Sequence, residues 1–193
     1  MRMAHDGCAT PGFMASITKG HSMESNKMAA GARFPALGWD AVSGARVVPA
    51  EAAGWRVLIV YRGKHCPLCK IYLNTLNGML TQFNAADIAV ATVSADPQDK
   101  AAAQVAECGW RFPVGYGLSV DEMRQLGVYI SDPRSPQETD RPFAEPALFV
   151  INPQGETQII DISNAPFARP DLASLMKGLQ FVISKDYPIR GRA

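Results

Sequence analysis

Cys66 and Cys69, with Pro67 and Leu68 between them, are the side chains in this sequence best placed for covalent chemistry. Two thiols at this spacing form a dithiol/disulfide redox centre when they stand where a strand gives way to a helix. Residues 55–61, Trp-Arg-Val-Leu-Ile-Val-Tyr, read as a buried strand, and an amphipathic helical pattern begins at Cys66. The first thiol then sits at a helix N-terminus, where unpaired backbone N–H groups and the helix dipole favour the reactive thiolate. Arg62, Lys64, His65 and Lys70 add positive charge nearby and act in the same direction. A protonated His65 would lower the Cys66 pKa further, or the ring would carry a proton. An exposed imidazole with no role accounts for it equally well.

Cys66 is therefore expected to be the nucleophile and the more exposed thiol. Cys69, in the first helical turn, is expected to resolve a mixed disulfide by intramolecular attack. Two plainer readings compete. A chance Cys-x-x-Cys in a core helix would be inert. A zinc site would need four ligands, and only Cys8, Cys108 and three scattered His remain to supply them. Cys108 closes a second helical stretch, where a half-buried structural thiol is a simpler expectation than a remote resolving one.

The bulk properties narrow the class. A chain of 193 residues, 47% hydrophobic and 19% charged with a net charge of +1, suits a soluble globular protein with a substantial core. The balanced charge makes neither nucleic acid nor a membrane surface an expected partner. No apolar run approaches the ~20 residues that span a bilayer. Residues 1–27 lack the apolar stretch of a secretory signal. They read as a flexible tail, or in part as an over-long start, with Met14, Met23 and Met28 as alternative initiators. A cytoplasmic location is the expectation, and a lone Cys-x-x-Cys beside a β-α pattern then means redox or metal chemistry rather than a structural staple.

The elements that must position the thiols follow from periodicity and punctuation. Short strands near 37–42 and 46–48 suggest a hairpin. Apolar residues at Cys69, Tyr72, Leu73, Leu76, Met79, Leu80 and Phe83 form one helical face, and residues 87–94 make a second buried strand. Asp96-Pro97 suggests a cap and first turn for a helix that Gly109 stops. Residues 112–116 are a short strand. Ser119 caps a short helix ended by Gly127, and the polar, proline-containing stretch 131–142 is a loop. Residues 147–151 and 157–162 form a hairpin across Asn152-Pro153-Gln154-Gly155, and Pro170 opens a last helix. A β-α-β-α-β-α-β-β-α order implies an α/β protein with a mixed sheet and helices on both faces. One domain over residues 28–185, with tails at 1–27 and 186–193, is the expected organisation.

Residues 57–70 resemble the active-site segment of thioredoxins, and the ββα ending repeats their arrangement. Residues 30–54, the insert ahead of Pro146, and Phe112-Pro113 with Leu126-Gly127-Val128 are more similar to peroxiredoxins. Over residues 28–185 the chain resembles the peroxiredoxin-like branch of the alkyl hydroperoxide reductase/thiol-specific antioxidant family. That resemblance implies a thioredoxin fold with a peroxiredoxin-like N-terminal hairpin and insertion. It also implies antioxidant oxidoreductase activity without a cofactor, a thioredoxin- or glutathione-like thiol reductant, and dimerisation. It makes Pro146 a cis-proline facing the dithiol, although trans is the ordinary state of such a bond. Glu145 would then place a carboxylate at the mouth of the site.

The departures from the family are specific. The peroxidase Thr position, three before Cys66, is Gly63; the Pro position, seven before, is Ile59. Where the family places its Arg, this chain has Pro146. Arg62, Arg111 and Arg141 are the candidates to replace that cation in space. Thioredoxin's buried Asp is Val60 here, and a Pro directly after the first Cys is closer to glutaredoxins and bacterial thiol oxidases. Disulfide exchange is accordingly the expected chemistry. A peroxidase passing through a Cys66 sulfenic acid is the alternative, and a non-enzymatic redox sensor is the third.

Overall fold

The computed structural model describes residues 27–192; Cys8, His21 and the expected N-terminal tail through residue 26 lie outside it. Its centre is a five-stranded sheet in the order β5-β4-β3-β8-β9. These strands are Val114–Gly115 (β5), Ile88–Val93 (β4), Trp55–Val60 (β3), Ala147–Ile151 (β8) and Thr157–Ile162 (β9). β3 runs parallel to β4 and antiparallel to β8, so the strand feeding the dithiol is the middle of a mixed sheet.

β3 lies between two covered faces, and strand side chains alternate between them. Val57 and Ile59 join one core with Leu73, Leu76 and Phe83 of helix α1 (Pro67–Ala85). The same core takes Leu172, Leu175, Met176 and Leu179 of helix α4 (Leu172–Ser184). Leu58 and Val60 join the other core with Trp39 of β1 (Trp39–Asp40), Val47 of β2 (Arg46–Val47), and Met123 and Leu126 at helix α3 (Val120–Gln125). The expected mixed sheet with helices on both faces and an N-terminal hairpin is present; β1 and β2 pair antiparallel.

Local signals placed most boundaries. Ser119 and Glu122 form a reciprocal capping box on α3. Gly109 ends helix α2 (Gln98–Cys108) in the left-handed conformation. Asp171 caps α4 by accepting from the Ser174 N–H at 2.8 Å.

Two helix starts differ from expectation: Pro170 lies ahead of the Asp171 cap and does not open α4, and α2 begins one residue later than expected. Pro97 rather than Asp96 is the N-cap of α2, without a side-chain cap bond, because the Asp96 carboxylate turns back to the Lys64 N–H at 2.6 Å. The expected loop at 131–142 is present apart from Ser131, and a small antiparallel ladder of β6 (Ile130–Ser131) and β7 (Phe143–Ala144) closes its two ends. Two-residue strands are too short for periodicity to reveal.

Candidate active site

Cys66 is the N-cap of α1, and Pro67 opens the helix, where its missing N–H costs nothing. The Cys66 Sγ accepts from the Cys69 N–H at 3.2 Å. The thiol of Cys69 also hydrogen-bonds to it, and Arg62 and Arg169 add positive charge. Together these outweigh burial and bring the Cys66 pKa down to about 6. Cys69 moves the opposite way, because it holds the shared proton and burial disfavours its thiolate. The pair is therefore asymmetric at neutral pH: Cys66 is the anion and Cys69 the acid. Both residues are buried, at 2% and 0% exposure, so the expected prominence of Cys66 is slight.

Two guanidinium groups serve these sulfurs. Arg62 follows β3 and lies over the ring of Phe143 at 4.7 Å. It is held between buried Glu138, at 3.3 Å, and buried Glu145, at 3.6 Å. Arg169 comes from the loop before α4. Its Nη2 donates to the Cys69 Sγ at 3.3 Å, its Nε to the Pro166 carbonyl at 2.8 Å, and its guanidinium covers Tyr72 at 4.7 Å. Of the three expected stand-ins, Arg62 is the one whose charge acts on Cys66. Arg111 is bound to Asn77, and Arg141 is paired with Asp140. Nothing in the sequence gave Arg169 a role at the site. The bracketing Pro166 and Pro170 were the available signal of a stiffened loop.

Several expected site residues take other roles. The Glu145–Pro146 bond is trans: no cis peptide bond occurs among the described residues. The chain is already extended there. Glu145 N–H bonds the Tyr129 carbonyl, the Pro146 carbonyl accepts from Ser163 N–H, and β8 starts at Ala147, so no reversal is needed. Ala147 pairs with Val60, which still puts Pro146 at the dithiol end of β3. Glu145 does not stand at a mouth. It is 6% exposed, accepts from Ser131 Oγ at 2.7 Å and neutralises Arg62. His65 packs edge-on against Phe143 at 4.6 Å, and burial, then Arg62, lowers its pKa. The ring is thus neutral at pH 7, and the imidazolium role falls away. Lys70 pairs with Glu107 and Lys64 points to solvent. Cys108 has a thiol pushed up by burial, the opposite of Cys66.

Gly63 occupies the peroxidase Thr position with φ +122°, and a Cβ there would lie 2.7 Å from the Asp96 carboxylate. The carboxylate fills the space a threonine side chain would need. Gly63→Thr is expected to destabilise the protein by about 1–3 kcal/mol or more rather than restore a peroxidase site, as urea unfolding would show. Unchanged stability would mean that the loop and Asp96 move apart freely.

No group of three His, Cys, Asp or Glu is placed to hold a metal among the described residues. No described helix is long and apolar enough to cross a membrane.

A parallel β-α-β core, with a Cys-x-x-Cys pair at the head of its helix, and a closing antiparallel hairpin with a helix define a thioredoxin fold. Residues 30–160 match the AhpC/TSA family model, and the chain belongs to that family. No curated protein shows significant sequence similarity to it. Among solved structures it is similar to a cysteine-to-serine mutant of peroxiredoxin 6 of Arenicola marina, with 16% identity over 82% of this chain and 75% of that one, TM-score 0.68. A peroxiredoxin-like protein from Aquifex aeolicus gives 14% identity over 81% and 88%, TM-score 0.68. A cysteine-to-serine mutant of peroxiredoxin Q of Xanthomonas campestris gives 19% over 82% and 99%, TM-score 0.61. At these identities the structural likeness speaks for the fold.

Proposed function

We propose that this protein is a thiol–disulfide oxidoreductase whose Cys66/Cys69 pair cycles between dithiol and disulfide. The observation that carries this reading is the asymmetry of the pair: an N-cap thiolate held by the Cys69 N–H, with its protonated partner one helical turn away. The Cys66 thiolate attacks one sulfur of a substrate disulfide and expels the other as a thiolate, which takes up a proton. Cys69, deprotonated as it attacks, then displaces the second substrate thiolate and leaves a Cys66–Cys69 disulfide. A thioredoxin- or glutathione-like thiol supplies the two electrons that reset it. Gly63, where a peroxidase has its peroxide-orienting Thr, favours exchange over peroxide reduction.

One observation supports a second reading. Arg169 has a buried Nη1 with no hydrogen-bond partner among the described residues, beside the thiols. That donor could hold a hydroperoxide oxygen while Cys66 attacks the other. Cys66 would become the sulfenic acid, an alcohol or water would leave, and Cys69 would condense with release of water.

Stopped-flow oxidation of the reduced protein by hydrogen peroxide separates the two. Tryptophan fluorescence would follow the reaction, with Cys66→Ser as control. Oxidation at the rate of a free thiolate, with fast reduction of a mixed aromatic disulfide, is the expected result. Fast, saturating, Cys66-dependent oxidation by peroxide would establish the peroxidase instead.

A further inference from the structure

The sheet is thinly covered at the end away from the dithiol. Arg56 and Leu58 of β3 pair with Ala89 and Ala91 of β4, so the two alanines present only methyl groups on the face that carries Arg56. The chain through Val47, Val48, Pro49 and Ala52 passes over this place and leaves a cleft of about 220 Å³. Its walls are apolar except for Arg56 and, at the rim, Arg46, which is already paired with Asp40 at 2.9 Å.

Arg56 is unusual here. It is 4% exposed, yet no carboxylate lies within ion-pair distance of it among the described residues. It donates to the carbonyls of Ala52 and Asn152, and its Nε has no hydrogen-bond partner among the described residues. Burial alone lowers its pKa, with no acid working against it. A buried cation without a counter-charge is costly, and a bound anion would offset that cost.

We propose that this cleft binds a small monocarboxylate with an apolar body, its carboxylate on Arg56 and its hydrocarbon against Val47, Val48 and Leu58. Two of the guanidinium N–H groups already bond loop carbonyls; the remaining ones, the unpartnered Nε–H among them, are the donors a carboxylate would take. The apolar walls reward hydrocarbon and disfavour a strongly hydrated inorganic dianion. A cleft of about 220 Å³ holds roughly seven waters' worth of volume, below the size of drug-sized pockets, which limits the body to a short chain or a single ring.

Sodium hexanoate titrated into the isotope-labelled full chain tests this, followed by the backbone amides and the Arg56 Nε–H resonance. Saturable shifts confined to Arg56, Ala89, Ala91 and the segment from Val47 to Ala52 are expected. Hexanamide, which lacks the charge, is expected to bind about tenfold or more weakly. Ala89→Ile places a β-branched side chain beside Arg56 at an exposed strand position. It is expected to weaken hexanoate by about tenfold or more while Cys66 alkylation stays unchanged. Absence of saturable shifts at these residues would overturn the site and leave Arg56 as a tie between two loop carbonyls. Equal binding of hexanamide, stronger binding of inorganic phosphate, or indifference to Ala89→Ile would overturn it as well.

Discussion

Cys66→Ser is expected to abolish turnover with any disulfide or peroxide, and Cys69→Ser to leave a first attack that does not finish. The reason lies in the division of labour at the head of α1. The Cys66 Sγ alone has the N-cap position, the Cys69 N–H at 3.2 Å and two guanidinium groups in its field. A serine hydroxyl there stays protonated at neutral pH and does not attack sulfur. Cys69, fully buried, keeps its proton until Cys66 has been consumed. Its replacement should therefore trap covalent mixed disulfides, visible as adducts by intact-protein mass spectrometry and released by excess thiol. Wild-type turnover over many cycles by Cys69→Ser would remove the resolving role from that residue.

Thiolate formation is the second large effect. Alkylation of reduced protein by iodoacetamide should be half-maximal near pH 6, where the Cys66 thiol ionises. The rate should fall about tenfold for each pH unit below that and level off above pH 7, because only the thiolate reacts. Arg169→Met removes the cation at the Cys69 Sγ without orphaning a carboxylate, since among the described residues Arg169 bonds only a sulfur, a carbonyl and a ring face. The midpoint is expected to rise, by less than loss of the Cys69 hydrogen bonds would raise it, because the Arg169 charge is the smallest of the influences on Cys66. Arg62→Met would be harsher, because it leaves buried Glu145 without its cation, whereas Glu138 keeps Arg134 at 3.0 Å. An unchanged midpoint in Arg169→Met would show that the N-cap hydrogen bonds alone set the ionisation.

The same ionisation links to stability. The Cys66 pKa is lowered from 9.0 to about 6 on folding. Its contribution is thus present in full above the unfolded value and lost as the pH falls through about 6. Relative to Cys66→Ser, the reduced protein should lose stability progressively between pH 9 and pH 6.

What the chain determines by itself is local. The strand, the Cys-Pro-Leu-Cys turn and the apolar face of α1 are short-range patterns, as are the Ser119 capping box and the Gly109 stop. They were legible because hydrogen bonds between near neighbours and the burial of one helix face decide them. The place of Cys66 at a helix N-terminus follows from these alone. The tertiary structure decided everything that depends on which distant segment comes near. Arg169 lies 100 positions from the sulfur it touches, and Glu145 lies far in sequence from the Arg62 it neutralises. Asp96 turned from its expected helix cap because the Lys64 N–H and the empty space at Gly63 were closer partners for its carboxylate. Pro146 stayed trans because the flanking strand pairings hold the chain extended there, although the family pattern implied otherwise. Electrostatics and burial act through space, and no periodicity in the sequence encodes which charges the fold will bring together.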